Sequence, residues 1–292
     1  MKYLFMKEHS LEFPIEKMAK VLRVSRSEYY KFLSRRTSKR EIENQKLSEK
    51  IREVHRESRK IYGSPRIHQE LKKQGEKCSR KRVARLMQKE KIQAKMRTKW
   101  VVTTQPSKSP ERVAPNHLDQ KFIVEEPNKV WVSDITYVTT QEGWLYVAIV
   151  LDLFSRKIVG LSMGDSLHTD LIVKALKQAL WNRDIKGGLM HHSDRGCQYT
   201  STDFQELTKR HGIKLSMSAK GRCYDNAVAE SFFHTLKTEH TDLCKYRIRE
   251  EAKVSIFEYI EVFYNRQRMH STLGYASPEE FEQLWWNQCK CI

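Results

Sequence analysis

Three acidic residues stand where the surrounding sequence gives them little reason to be. Asp134 interrupts the β-branched, apolar run KVWVSDITYV (129–138), Asp194 closes the segment MHHSD, and Glu230 lies one turn into DNAVAESFFHTLKTE. A carboxylate in a buried strand is rare unless it is paired or bound to a metal. Taken singly, each has a plainer reading: Asp134 satisfied by a turn, Asp194 a turn or cap former, Glu230 a solvated helix residue. Helical geometry changes the third. Val228, Phe232 and Leu236 repeat at i, i+4 and i+8 as a buried stripe, so Glu230, His234 and Lys237 share the opposite side. Carboxylates gathered in one cleft repel one another, and divalent cations with oxygen ligands relieve that repulsion. Two magnesium ions about 4 Å apart can hold the attacking and leaving oxygens of a phosphoryl transfer. The run GLMHHSDRGCQYTS offers a competing chemistry, because His191, His192 and Cys197 are zinc-ligand types. No second ligand cluster of suitable spacing accompanies them, which leaves Asp194 as the residue that matters there.

Periodicity supplies the elements that must hold these acids. Residues 129–138, 144–152 and 157–163 read as three strands joined by turns too short for anything but antiparallel pairing. A helix follows in TDLIVKALKQALWNR, with Thr169 as its cap and Leu171, Ile172, Ala175, Leu176, Ala179 and Leu180 on one stripe. Then come a strand ending at MHHSD, a helix over 201–211, a strand IKLSMS and a helix from Asp225. The result is a mixed sheet of five strands covered on both faces. Asp152, at a strand end, fits a turn role.

Ahead of that sheet the composition is different. The chain of 292 residues carries a net charge of +18, yet residues 1–124 hold 33 Lys and Arg against 14 Asp and Glu, while residues 125–292 hold 21 against 22. The whole surplus belongs to the front part, which points to a polyanionic partner bound by a separate module. Helical spacing at Ile15, Met18, Ala19 and Leu22, a break near Arg23 to Ser25, and a second helix with Tyr29, Tyr30 and Leu33 read as a helix-turn-helix. A second such unit has Ser64 as a cap, Pro65 at the first helical position, Gly75 as a stop and Ser79 as the next cap. Its last helix buries Val83, Leu86 and Met87 and leaves Arg80, Lys81, Arg82 and Arg85 for DNA. Four of the seven prolines (106, 110, 115 and 127) mark an extended linker. The expected divisions are therefore 1–38 and 39–98 for the two helical units, 99–127 for the linker, 128–240 for the sheet domain and 241–292 for a helical extension. The longest apolar run, WLYVAIVL, has eight residues, too few to cross a bilayer. Six cysteines without a CxxC, and no secretory start, read as reduced thiols of a cytoplasmic, nucleoid-associated protein.

Thirty-five residues separate Asp194 from Glu230, and Lys237 follows seven positions later. This spacing resembles the D,D(35)E signature of the retroviral-integrase-like core, an RNase H-like fold. The runs WVSDITYV, LDLFSRKIVG, HHSDRGCQYTS, GRCYDNAVAESFFHTLKTE and YNRQRMHSTLGYASPEEF are similar to bacterial insertion-sequence transposases encoded by a second reading frame. The resemblance covers nearly the whole chain, including VLRVSRSEYYKFLSRR and YGSPRIHQEL. It implies an α/β core with flanking helices behind small all-α helix-turn-helix domains. It further implies that Asp134 bridges two Mg²⁺ ions, that Asp194 and Glu230 each complete one site, and that Mn²⁺ substitutes. Lys237 would contact DNA near the scissile phosphate. His192, Arg195, Gln198, Tyr199 and Asn226 match motif positions and, with His234, would brace the acids or touch DNA. The implied partners are double-stranded DNA as terminal inverted repeats and target, the first-reading-frame product, and further copies of this chain on DNA. Retroviral integrases carry a front His-His-Cys-Cys zinc module; here His55, His68 and Cys78 lack the second cysteine. The implied activity is DNA 3′-end cleavage and strand transfer. A nuclease that only hydrolyses, or a repressor with a silent core, are the alternatives.

Overall fold

The computed structural model describes residues 1–34, 38–95, 113–219 and 223–289. At the front, α1 (Lys2–Glu8), α2 (Ile15–Leu22) and α3 (Arg26–Leu33) close on a small core of Met6, Met18, Ala19 and Tyr29. The turn after α2 needs a left-handed residue, and Arg23 supplies it at φ 50°, ψ 57°, in a place where glycine is more usual.

Next comes a helix that the periodicity had not separated out, α4 (Lys39–Glu57). Its mostly polar sequence conceals it, but its start is well marked. Ser38 Oγ accepts from Glu41 N–H at 3.2 Å, and Ser38 N–H donates to the Glu41 carboxylate at 2.9 Å, a reciprocal cap. α5 (Ser64–Lys73) begins one residue differently from expectation: Gly63 is the cap and Ser64 the first helical residue, because Pro65 then falls in the first turn. Gly75 stops it at φ 84°, and Ser79 caps α6 (Arg80–Lys89) through Arg82 N–H. Leu47, Ile51, Val54, Ile67, Leu71, Val83 and Leu86 join these three helices.

The sheet has the order β3-β2-β1-β4-β5. β1 (Val130–Thr140), β2 (Gly143–Asp152) and β3 (Ile158–Gly164) form the antiparallel meander, while β4 (Met190–Ser193) and β5 (Lys214–Met217) extend it in parallel from β1. α7 (Thr169–Asn182), whose cap is His168 rather than Thr169, and α8 (Thr202–Arg210) cover one face with Leu171, Leu176, Ala179 and Phe204. On the other face lie α9 (Ala227–Glu239) and α10 (Arg249–Glu258), which runs into a π-helical turn at Tyr259–Tyr264. α11 (Pro278–Cys289) ends the described chain. Among the described residues no helix is long and apolar enough to cross a membrane.

Helix α7 lies so close to β3 that a side chain at Gly160 has no room. A Cβ there would stand 2.2 Å from the Ala175 carbonyl oxygen and 3.0 Å from Ala179 Cβ. Gly160→Ala should therefore cost about 3 kcal/mol of stability, read as a lowered urea midpoint with an unchanged slope.

The core beneath α9 and α10 does not stop at the sheet domain. It continues into α4, α5 and α6, so Ile51, Leu71, Phe232 and Phe263 belong to one contiguous interior. Polar contacts reinforce the junction. Tyr62 Oη donates to Gln267 O at 3.2 Å and accepts from Met269 N–H at 2.9 Å, and Arg59 pairs with Glu258 at 2.8 Å. The expected linker 99–127 falls outside the described residues up to 112. Residues 113–127 follow the core surface, with Leu118 buried and Ser216 Oγ accepting from the amides of His117 and Leu118.

Candidate active site

Sheet register brings the first two acids together. β4 runs parallel to β1 with Val132 opposite His192, so two residues further along each chain Asp134 meets Asp194 as the latter leaves the strand. The third acid arrives on α9. Asn226 Nδ2 donates to the Ser133 carbonyl at 3.2 Å, which pins the start of that helix to β1 beside Asp134 and leaves Glu230 one turn on.

The three carboxyls feel one another. Asp134 keeps some exposure, but the protein closes around it, and burial pushes its proton affinity well above the ordinary carboxylate range. Asp194 adds to that rise, and Glu230 adds less; the Ile135 amide, at 2.8 Å, and Lys237 oppose it. Asp194 is raised by burial against the Gly196 amide at 2.8 Å. Glu230 is raised by burial and then by Asp194. Tyr199 lies against the same group: its buried phenol is held well above its usual range by burial, Asp134 and Asp194, and its oxygen has no hydrogen-bond partner.

Clustered carboxyls, of which Asp134 and Glu230 feel their neighbours' charge, suit divalent cations with oxygen ligands, and Asp134, Asp194 and Glu230 are the residues that could hold them. Among the described residues no three His, Cys, Asp or Glu side chains converge on one point. Asp134 with either neighbour would suit magnesium, which takes one or two carboxylates and fills its remaining positions with water or phosphate oxygens.

The other predicted residues divide by what they touch. Tyr199 and Asn226 join the acid group. His192 instead binds serines of β5 and just beyond it: its Nδ1 meets Ser216 Oγ at 2.8 Å and its Nε2 meets Ser218 Oγ at 3.3 Å. Burial lowers its pKa to about 4, against the pull of Asp225, so the ring is neutral at physiological pH. Arg195 Nε donates to Ser218 O at 2.6 Å, and Gln198 reaches Leu167 O at 3.4 Å. His234 is exposed and is not among the groups that act on Asp134. His191 is buried with its Nε2 at 2.7 Å from Ser133 Oγ, whereas Cys197 is exposed. Asp152 does hold a turn, accepting from the amides of Asn128 at 2.8 Å and Phe154 at 3.0 Å and pairing with Arg183.

One residue important to the site had escaped notice. Asp225 is fully buried and accepts from Asn116 Nδ2, Gln120 Nε2 and the Ala219 amide, at 2.9, 3.1 and 2.9 Å. It fastens two stretches, the segment before β1 and the end of β5, to the approach of α9. An aspartate before a helix reads as a cap, and nothing local reveals partners more than 100 residues away.

On α6, Arg80, Lys81 and Arg85 are exposed, but Arg82 turns inward. Its Nε donates to Asn44 Oδ1 at 2.8 Å and its guanidinium pairs with Glu43 at 3.2 Å. It joins α6 to α4.

With this geometry established, comparison with known proteins is informative. Models described as integrase core domain match residues 124–223 and 230–284, and an HTH-like domain model matches residues 41–100. Fold and matches together define a transposase with an integrase core, an enzyme of the polynucleotidyl transferase type. Transposase InsF for insertion sequence IS3A, from Escherichia coli (strain K12), is 42% identical over 284 residues, 97% of this chain and 98% of that protein. A 31 kDa protein of insertion element IS600 from Shigella sonnei is 43% identical over 268 residues, 92% and 98% of the two chains. The chain belongs to the IS3 transposase family. Similar solved structures include the HTLV-2 integrase catalytic core domain in complex with magnesium, at 17% identity, 53% and 97% coverage and a TM-score of 0.41. A simian T-cell lymphotropic virus intasome matches at 13% identity, 79% and 73% coverage and a TM-score of 0.46.

Proposed function

We propose that Asp134, Asp194 and Glu230 are the catalytic acids of DNA 3′-end cleavage and strand transfer at the terminal repeats of an insertion sequence. The observation that supports this reading is that β1, the end of β4 and α9 deliver three acids close enough for Asp194 and Glu230 both to raise the proton affinity of Asp134, and for Asp194 to raise that of Glu230. When bound there, two Mg²⁺ ions, or Mn²⁺ in their place, would neutralise the acids and stabilise charge on the reacting phosphate oxygens. Asp134 would contribute to both sites, and Asp194 and Glu230 to one each. Asn226 holds Glu230 in register with Asp134. Lys237 places its ammonium on the DNA backbone beside the acids. In cleavage, water bonds to phosphorus and the 3′ oxygen leaves as a hydroxyl. In transfer, that hydroxyl bonds to a target phosphorus and displaces the target's own 3′ oxygen, which takes a proton. Neither step needs a covalent link to the protein.

The basic surface of α6 positions the repeat, with Arg80, Lys81 and Arg85 on phosphates. Replacing these three by alanine should weaken binding across all sequences and flatten the log–log salt dependence by about three units, measured by fluorescence anisotropy. Arg82→Ala should act through stability instead, because its contacts are internal. Pairing two element ends calls for at least two copies on DNA. Exposed Leu4, Phe5, Leu11 and Phe13 over a four-residue core favour a further partner at the front unit, assigned to the first-reading-frame product.

Incubation of the protein with Mg²⁺ and end-labelled terminal-repeat DNA tests the reading. Joined strands are expected. Cleavage alone would make the protein a nuclease, and binding alone a repressor.

A further inference from the structure

The run YNRQRMHSTLGY (264–275) takes no part in the proposed chemistry, yet it meets the entry to α5, where Tyr62 binds Gln267 and Met269. Two guanidiniums converge at that seam on one oxygen of Glu239, Arg268 from the run and Arg66 from α5. Arg268 is fully engaged. Its Nε and one terminal nitrogen donate to the two oxygens of Glu239 at 2.7 Å each, and the other terminal nitrogen donates to His270 Nε2 at 3.2 Å. Burial lowers the His270 pKa to about 2, so that ring is a neutral acceptor and brings no further charge. Tyr259 Oη occupies Glu239 further, donating at 2.8 Å.

Arg66 is left over. The Glu239 oxygen stands 3.7 Å away, an ion pair too long for a hydrogen bond, and the guanidinium lies over the Tyr62 ring at 5.5 Å. Among the described residues that guanidinium makes no hydrogen bond. The first turn of α5 holds no acid, and the positive end of a helix opposes a cation there. Burial and Arg268 accordingly hold its proton affinity below the usual arginine range, against the pull of Glu239. Two cations share one carboxylate, and the second keeps its planar fork of donors for an anion from outside. Its side chain is 24% exposed, enough for an oxygen to reach it.

Position selects the anion. In a helix-turn-helix the first helix crosses the DNA backbone while the second enters the groove. Arg66 belongs to that first helix, and α6 after it exposes Arg80, Lys81 and Arg85. On the core side, Glu239 ends the helix that carries Glu230, about 14 Å further along its axis. That distance is the rise of about four base pairs. We propose that Arg66 grips a DNA backbone phosphate at the seam between the helix-turn-helix unit and the integrase core, between the α6 surface and the three acids. This inference rests on the proposed DNA-end reading. The contact carries no base information; it sets how the duplex passes from one unit to the other.

The test is the affinity of the full chain for a fluorescent terminal-repeat duplex, read by anisotropy in calcium buffer across potassium chloride concentrations at which every variant is folded. Arg66→Gln should weaken binding about tenfold and flatten the log–log salt slope by about one unit. Having no hydrogen bond to lose, it should melt as wild type does. Arg66→Lys keeps the charge and should keep the slope, losing only the fork. Arg59→Gln removes a cation of the same seam that Glu258 already holds at 2.8 Å, and should leave the slope as it was. An unchanged slope in Arg66→Gln, an equal flattening in Arg59→Gln, or a flattened slope in Arg66→Lys overturns the proposal. So does an Arg66-dependent rise in melting temperature with inorganic phosphate and no change of slope, which would assign the seat to a free anion. Strand joining by wild type in Mg²⁺ is recorded alongside. Joining with a wild-type slope in Arg66→Gln removes only this contact, whereas no joining removes the reading beneath it.

Discussion

Asp134→Asn is expected to lower strand joining by at least about a thousandfold while making the metal-free protein more stable. The first effect follows from the proposed role of Asp134, the acid whose charge both of the others oppose. The second follows from proton linkage. Burial, Asp194 and Glu230 raise the proton affinity of Asp134 in the folded state. The folded protein thus binds protons more tightly than the unfolded chain. Its contribution to stability is complete below the ordinary carboxylate pKa, near 4, and is lost as pH rises through the raised value. Asparagine removes that loss. In EDTA, wild type should melt at a lower temperature at pH 8 than at pH 5, and the variant should show a smaller difference. At pH 8 the variant should be the more stable by about 1 kcal/mol, a few degrees for a chain of this size. Mg²⁺ should raise the melting temperature of wild type more than that of the variant. If Asp134→Asn melts below wild type at pH 8 without metal, burial beside the other acids does not make the Asp134 carboxylate a source of instability.

The second large effect lies at the far end of α9. Glu239, its last residue, accepts from Arg268 through Nε and a terminal nitrogen, both at 2.7 Å, and from Tyr259 Oη at 2.8 Å. Arg66 of α5 approaches the same carboxylate at 3.7 Å. Glu239 and Arg268 are 8% and 5% exposed, so neither can turn to water when its partner is removed. The Glu239 carboxylate and the Tyr259 and Tyr264 hydroxyls favour the charged guanidinium, outweighing burial, and hold Arg268 above its usual range. Arg268→Met should cost about 3–5 kcal/mol, because it strands a buried carboxylate. Adding Glu239→Gln should recover part of that loss, and urea denaturation of both proteins measures the difference. Since α9 also carries Glu230 and Lys237, the single variant should lose joining activity even at temperatures where it remains folded. A double variant no more stable than Arg268→Met would show that the ion pair is not the source.

Much of this architecture was legible in the sequence because it depends on local pattern. The β-branched runs around Asp134 and Asp194 specify strands, and their turn lengths decide which are antiparallel. The 35-residue gap to Glu230 points to an integrase-type core. What escaped depends on distant partners. Arg82 looks like its neighbours on a basic helix until Asn44 and Glu43 claim it. Asp225 looks like a cap until Asn116 and Gln120 arrive from the segment before β1. His234 follows Glu230 at helical spacing, yet rotation of the helix leaves it in solvent while Ala229 and Phe233 turn inward. Helix α4 lacks a strong apolar stripe and owes its place to contacts with α5 and α6.

The interior shared by α4–α6 and the sheet domain turns the protein into a caliper. On the proposed reading, the jaw that would grip a repeat and the jaw that bears the acids share one hydrophobic interior, which would hold their separation. The number of base pairs between grip and cut would then follow from protein dimensions, and shifting that interval by half a helical turn, about five base pairs, would carry the phosphate to the wrong side of the duplex.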